Sequence, residues 1–304
     1  MSDDRSTATE HSLAKAEHYR QSGQLLAAED ICRKVLQETP DHAAALHLLG
    51  IVAHDAGNAT AAIDLVKRAV AADATQTHYF ANLGEMCRLS GRLDEAVAAG
   101  RRAIELKPDH AQAWNNLGIA HYDRREFQQA EACYREAVRL TPDLAEAYSN
   151  LGNALRAQRK LNEAVEAYTK AIQLKPQSIL TYYNLGTVFR DQQRFAESEA
   201  ISRTGLGLRP HEVPLLNNLG LALAAQGKGA EGTTILARSA ALDPENGKTF
   251  LYLGSTLLAL GKLEEAKVAV DRAQALMPTD MEAVRLGFRF NDQLSRAQES
   301  GRGS

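Results

Sequence analysis

The sequence predicts an all-α solenoid of stacked helical hairpins, and three observations carry that prediction. The tripeptide Asn-Leu-Gly recurs at Asn82-Leu83-Gly84, Asn116-Leu117-Gly118, Asn150-Leu151-Gly152, Asn184-Leu185-Gly186 and Asn218-Leu219-Gly220, every step being 34 residues. A proline and a small residue each recur at one fixed phase of that period. Apolar residues between them follow helical rather than alternating spacing, and no segment reads as a strand. Such self-similarity marks an architecture whose units pack only on their neighbours.

Extending the register gives eight repeats, 9–42, 43–76, 77–110, 111–144, 145–178, 179–212, 213–246 and 247–280. Residues 1–8 are polar and are expected to be disordered. Repeat position 7 is Leu and position 8 Gly in all repeats but the first, which has Lys15 and Ala16 there. Position 20 is small throughout: Ala28, Ala62, Ala96, Ala130, Ala164, Ser198, Gly232 and Ala266. Together these let two antiparallel helices approach backbone to backbone, with Phe80, Trp114, Tyr148 and Tyr182 at position 4 filling the space beside them. Gly23, Gly57, Gly91, Gly227 and Gly261 sit where a left-handed residue closes the first helix. Proline at position 32, from Pro40 to Pro278 with Ala74 the exception, ends the second. The Asp that often follows, as at Asp109 and Asp143, is expected to cap the next helix. Residues 281–298 form a capping helix, with Val284, Phe288 and Leu294 on one face and Arg285, Arg289 and Asp292 opposite. Residues 299–304 are expected to be a disordered tail.

Composition narrows the function classes. The chain has 304 residues, 44% hydrophobic and 24% charged, which fits a folded, water-facing protein. A net charge of -3 supplies no basic field for nucleic acid. Cys32, Cys87 and Cys133 share no metal-ligand spacing, and the first two fall at core positions of the repeat. No stretch has the ~18 apolar residues of a membrane span, and residues 1–10 have no signal-peptide core. A cytoplasmic location is the expectation.

No enzyme apparatus is legible, and no cofactor is expected. The glycines lie at packing and helix-ending positions with no strand before them. Gly205-Leu206-Gly207 sits at the end of a second helix, where packing accounts for it. Acidic pairs such as Glu264-Glu265 fall on polar faces. His47 and His54 share a helix face with His78 one repeat on, but seven residues along a helix span ~10 Å, too far for one metal ion. Groove polarity is the reading, and no metal site is expected.

The pattern Trp114, Leu117, Gly118, Ala130, Tyr134, Ala137 and Pro142 resembles the tetratricopeptide repeat. The resemblance covers about nine-tenths of the chain. It implies a right-handed superhelix of eight helix-turn-helix repeats plus a C-terminal cap helix, with positions 2, 5, 6, 9, 12 and 13 toward a concave groove. Position 6 is then a column of Asn82, Asn116, Asn150, Asn184 and Asn218. Each asparagine costs roughly 0.5–0.7 kcal/mol of helix propensity against alanine. Its amide carries a donor and an acceptor suited to the backbone of an extended peptide. Asn115, Asn153, Asn217, Tyr122 and Tyr183 surround the column, with Arg88, Arg156 and Arg190 at position 12. Asp123 and Asp191 follow at position 13 and neutralise the arginines in part. The inner asparagines most resemble those of the repeat region of the O-GlcNAc transferase family, which implies two readings. One is a non-catalytic scaffold that binds a protein or extended peptide along the groove. The other is the targeting region of a glycosyltransferase whose catalytic domain is absent from this chain. The lysine-asparagine clamp of co-chaperones is missing, since no repeat has Lys at position 5. A second copy of the chain is a further candidate partner.

Overall fold

The computed structural model describes residues 2–302, with side chains described for 7–299. Among the described residues there are seventeen helices and no strand. The chain divides into two compact units, residues 1–158 and 159–304. The N-terminal unit holds α1 (Ser2–Gln21), α2 (Leu25–Glu38), α3 (Ala43–Asp55), α4 (Ala59–Ala72), α5 (Thr77–Leu89), α6 (Leu93–Leu106), α7 (Ala111–Asp123), α8 (Phe127–Leu140) and α9 (Ala145–Ala157). In it each odd helix from α1 to α7 pairs with the next even one, and each even helix packs on the following odd one. The C-terminal unit holds α10 (Leu161–Leu174), α11 (Ile179–Asp191), α12 (Phe195–Leu208), α13 (Val213–Ala225), α14 (Gly229–Leu242), α15 (Gly247–Ala259), α16 (Leu263–Leu276) and α17 (Met281–Arg302). There the pairs are α11 with α12, α13 with α14 and α15 with α16, closed by α17 against α15 and α16. Each unit is thus a run of helical hairpins whose cores lie between neighbours.

Position-8 glycines set the distance within three of the hairpins. A Cβ on Gly118 would fall 2.6 Å from the Tyr134 ring, and one on Gly220 2.6 Å from Leu236 and 3.1 Å from the Gly232 carbonyl. On Gly50 it would meet Val66 at 2.6 Å and the Ala62 carbonyl at 3.1 Å. Position 20 therefore offers its backbone to position 8, as the spacing predicts. Where Ser198 replaces alanine there, its hydroxyl donates to the Gly186 carbonyl at 2.8 Å. Gly205 likewise packs against Leu215 and Tyr182.

The turns close as expected, with one addition. Gly57 donates to the His54 carbonyl at 2.9 Å and Asn58 to that of Ala53 at 2.8 Å, a Schellman closure. The same pair recurs at Arg125 (2.9 Å) with Glu126 (2.9 Å), and at Gln193 (2.9 Å) with Arg194 (2.8 Å). All five predicted glycines have φ between 73° and 81°. In the three middle repeats, however, Arg125, Arg159 and Gln193 adopt φ of 62°, 62° and 59°. The turn geometry is imposed by the repeat even where the residue resists it.

Three terminal expectations differ. Asp109 and Asp143 stand one residue short of the cap. The caps are the following position: His42 and His110 accept through Nδ1 from the amides of Ala45 and Ala113, and Asp280 Oδ1 accepts from Glu282 and Ala283. In α17 the buried face is Ala283, Leu286 and Phe290, while Phe288 is 70% exposed. Its Leu-Gly pair sits one position earlier than in the repeats, which rotates the packed face. Residues 2–8 belong to α1 and 299–302 to α17, so helix extends into both segments expected to be disordered; residues 1, 303 and 304 lie outside the described residues. Each extension continues a helix already anchored by packing, which removes the nucleation penalty.

Replacing Arg125 or Gln193 by Gly should raise the unfolding free energy by about 0.5–1 kcal/mol each, because glycine enters the left-handed region without the Cβ penalty. Gly91→Ala should lower it by about 1 kcal/mol. Urea unfolding followed by far-ultraviolet circular dichroism measures both.

Candidate functional site

The first helix of each repeat carries the residues the sequence singles out, and the structure gives their amides a prior use. In the N-terminal unit, Asn82 Nδ2 donates to His47 Nε2 at 2.9 Å, from position 6 of one repeat to position 5 of the repeat before. Asn150 Nδ2 donates to Asn115 Oδ1 at 3.0 Å by the same step. Asn116 differs: its Oδ1 accepts only from Gln112 Nε2 at 3.0 Å on its own helix. Asn82, Asn116, Asn150 and Asn153 are partly exposed.

In the C-terminal unit the amides lie deeper. Asn218 is 2% exposed, and its Nδ2 donates to the Tyr183 carbonyl at 3.0 Å and Thr187 Oγ1 at 3.1 Å. Asn184 is buried as well. Position 5, expected toward the groove, is interior at Asn217. Asn217 donates to Thr249 Oγ1 at 2.9 Å and accepts from Ser239 Oγ at 2.8 Å. Asn115, at the same repeat position, is fully buried with Nδ2 unpartnered. The hydroxyls that serve Asn217 are replaced there by Ala147 and Ala137.

Arg88 is held on two sides. It forms a fork onto Glu85 at 2.7 and 2.8 Å and reaches Asp123 of the next repeat at 2.9 Å. Arg20 repeats the device with Glu17 and Asp55. The fork holds the Glu85 carboxyl below the usual carboxylate range and raises Arg88 further above neutrality. Arg88 is therefore a tie between repeats, with Glu85 and Asp123 together facing its charge. Arg156 and Arg190 are partly buried. Tyr122 packs edge-on against Phe127 with ring centres 5.3 Å apart, and Tyr183 is partly exposed.

The histidines gather rather than ligate. The His47 ring lies 4.4 Å from Tyr79 and 5.0 Å from His78, centre to centre, and His47 is buried. Burial, with His78 adding to it, pulls the His47 imidazole down to about 4. It is thus the neutral acceptor that the Asn82 amide needs. Among the described residues no three His, Cys, Asp or Glu side chains converge as metal ligands. All three cysteines are buried and unbridged, and burial raises their thiols.

Groove positions open into a cleft between α13, α15 and α17. In the C-terminal unit, Leu221 and Ala225 of α13, Tyr252, Ser255 and Ala259 of α15, and Glu282, Arg285, Leu286 and Arg289 of α17 line a space of about 750 Å³. Sequence reasoning passed over it because position 6 is not asparagine there, being Tyr252 in the last repeat.

A family model described as the cilia and flagella-associated protein 70 C-terminal domain, a tetratricopeptide-repeat domain, matches residues 72–286. A tetratricopeptide repeat model matches residues 19–84. The chain belongs to this tetratricopeptide-repeat family. No curated protein matches the sequence. Among solved structures, YrrB, described as a TPR protein with an unusual peptide-binding site, is 24% identical with a TM-score of 0.51, over 62% of this chain and 98% of its own. MamA is 27% identical with a TM-score of 0.50, over 53% and 94%. PilF of Pseudomonas aeruginosa is 19% identical with a TM-score of 0.61, over 70% and 96%. These likenesses agree with an all-α helical-repeat fold, and no helix among the described residues is long and apolar enough to cross a membrane.

In the tetratricopeptide frame, His47 gives the protein a pH dependence with a definite sign. Its folded value lies below that of the unfolded chain, so the unfolded form binds the proton more readily between pH 6.5 and about 4. Stability should fall as pH drops through that window, by on the order of 2 kcal/mol between pH 7 and pH 5. His47→Gln keeps an acceptor for Asn82 but does not titrate, so its urea midpoint should fall less over the same interval.

Proposed function

We propose that this chain is a non-catalytic scaffold that holds an extended segment of a partner protein along the face presented by its first helices. One observation carries the reading: residues at repeat positions 5, 6, 9 and 13 of α13, α15 and α17 wall an open cleft of about 750 Å³, a volume suited to a ligand. In the N-terminal unit, Asn82 and Asn150 keep Oδ1 unspent while Nδ2 serves the neighbouring repeat. An extended peptide offers backbone N–H groups to such acceptors, and contact through the main chain tolerates varied side chains. Asn116 adds a donor not tied to another repeat. Asn218 and Asn217, buried and bonded internally, order the face rather than touch the ligand. Arg88 acts the same way, and Tyr122 and Tyr183 read side chains. The tetratricopeptide family supports protein binding in general, and neither family model names a glycosyltransferase, so that alternative gains no support.

Asn116 separates binding from folding. Asn116→Ala should leave the melting temperature unchanged or slightly raised, because alanine is the better helix former and no inter-repeat bond is lost. Proteins retained by an affinity column of the wild type should be bound about 5–10-fold more weakly by the variant, the worth of a hydrogen bond or two. Equal retention by both would sink the reading. Asn150→Ala is the contrasting case: it should lower the melting temperature, because it strands the Asn115 carbonyl oxygen.

A further inference from the structure

The cleft in the C-terminal unit has a chemistry unlike the asparagine-bearing repeats, and it names a ligand class. Its floor is apolar, formed by Leu221, Leu251, Ala259 and Leu286. Its α17 wall carries Arg285 and Arg289, four residues apart and therefore on one face of the helix. Neighbouring arginines are spoken for, Arg272 by Glu245 and Arg296 by Asp292. Among the described residues neither Arg285 nor Arg289 has a carboxylate partner, and both are exposed. Glu282 stands one turn before Arg285 and two before Arg289, so the wall carries two cations against one anion.

From this we infer that the cleft takes a peptide segment in which apolar side chains alternate with acidic ones. The inference rests on the groove reading above and gives it a specificity. Leucine-sized side chains fill the apolar floor, and carboxylates meet Arg285 and Arg289, whose planar guanidinium groups suit paired hydrogen bonds. Tyr252 and Ser255 of α15 also line the cleft and offer hydroxyls to the peptide backbone. The region that holds the ligand by its main chain and the region that selects it by charge are then different places on the chain.

Fluorescein-labelled twelve-residue peptides test this in anisotropy titrations with the full chain: alternating Leu and Asp, alternating Leu and Lys, and alternating Ser and Asp. The Leu-Asp peptide should bind at least tenfold more tightly than either control. Arg285→Glu with Arg289→Glu should reverse the preference between the acidic and basic peptides. Arg285→Lys with Arg289→Lys should keep the acidic preference, with weaker binding. Both arginines are exposed and lack a carboxylate partner, so the unfolding midpoint should not move, and its constancy shows that the variants fold. Failure of the Leu-Asp peptide to bind, or affinity unmoved by charge reversal, overturns the inference. Peptide binding that survives the reversal but falls in Asn116→Ala leaves the groove reading standing and removes the cleft. Loss on reversal with Asn116→Ala unaffected supports the cleft alone.

Discussion

Everything in this protein depends on how closely the two helices of a hairpin can approach. A Cβ at Gly118 or Gly220 would lie 2.6 Å from a side chain of the facing helix, a separation no real contact sustains. Packed interiors do not absorb such an intrusion without moving backbone. The glycine therefore fixes the interhelical distance, the distance fixes where the next hairpin can sit, and the faces of the first helices follow. The period without insertion is the consequence, because an added residue would rotate one helix face away from its glycine contact.

The same economy appears on the first helices. Asn82 and Asn150 satisfy buried acceptors of the preceding repeat. Arg88 and Arg20 reach acidic residues of the following one. These side chains are polar because they join polar positions across repeats. Their helix-propensity cost, roughly 0.5 kcal/mol for an asparagine, is smaller than the loss from a stranded buried amide. Recurring polar residues on such a surface are thus ambiguous between ligand contact and repeat registration until their partners are known.

Much of the fold was legible because it is written locally. Gly57 and Gly91 announce a left-handed turn, and Gly50 with Ala62 announces a close approach. Proline near the end of each repeat marks where the second helix stops. What was not legible depends on contacts one repeat away. Nothing local distinguishes Asn116, with one partner on its own helix, from Asn218, which is enclosed by Tyr183 and Thr187. The turn at Arg125 lacks the glycine signal yet adopts the same conformation, since flanking helices dictate it. The cap at His110 was missed because a histidine is an uncommon acceptor there. The cleft beside Arg285 escaped notice because the repeated asparagine, the strongest signal in the sequence, has already ended.

An amide in this arrangement has two ends with two employers. Asn150 gives its nitrogen to Asn115 and keeps its oxygen unspent. A hydrogen bond accepted at the oxygen polarises the amide and strengthens the one donated at the nitrogen. A bound segment would therefore tighten the seam between repeats that it lies across without altering any helix. Under the proposed reading, occupancy would be a mechanical state in which the loaded seam is stiffer and opens less often to solvent.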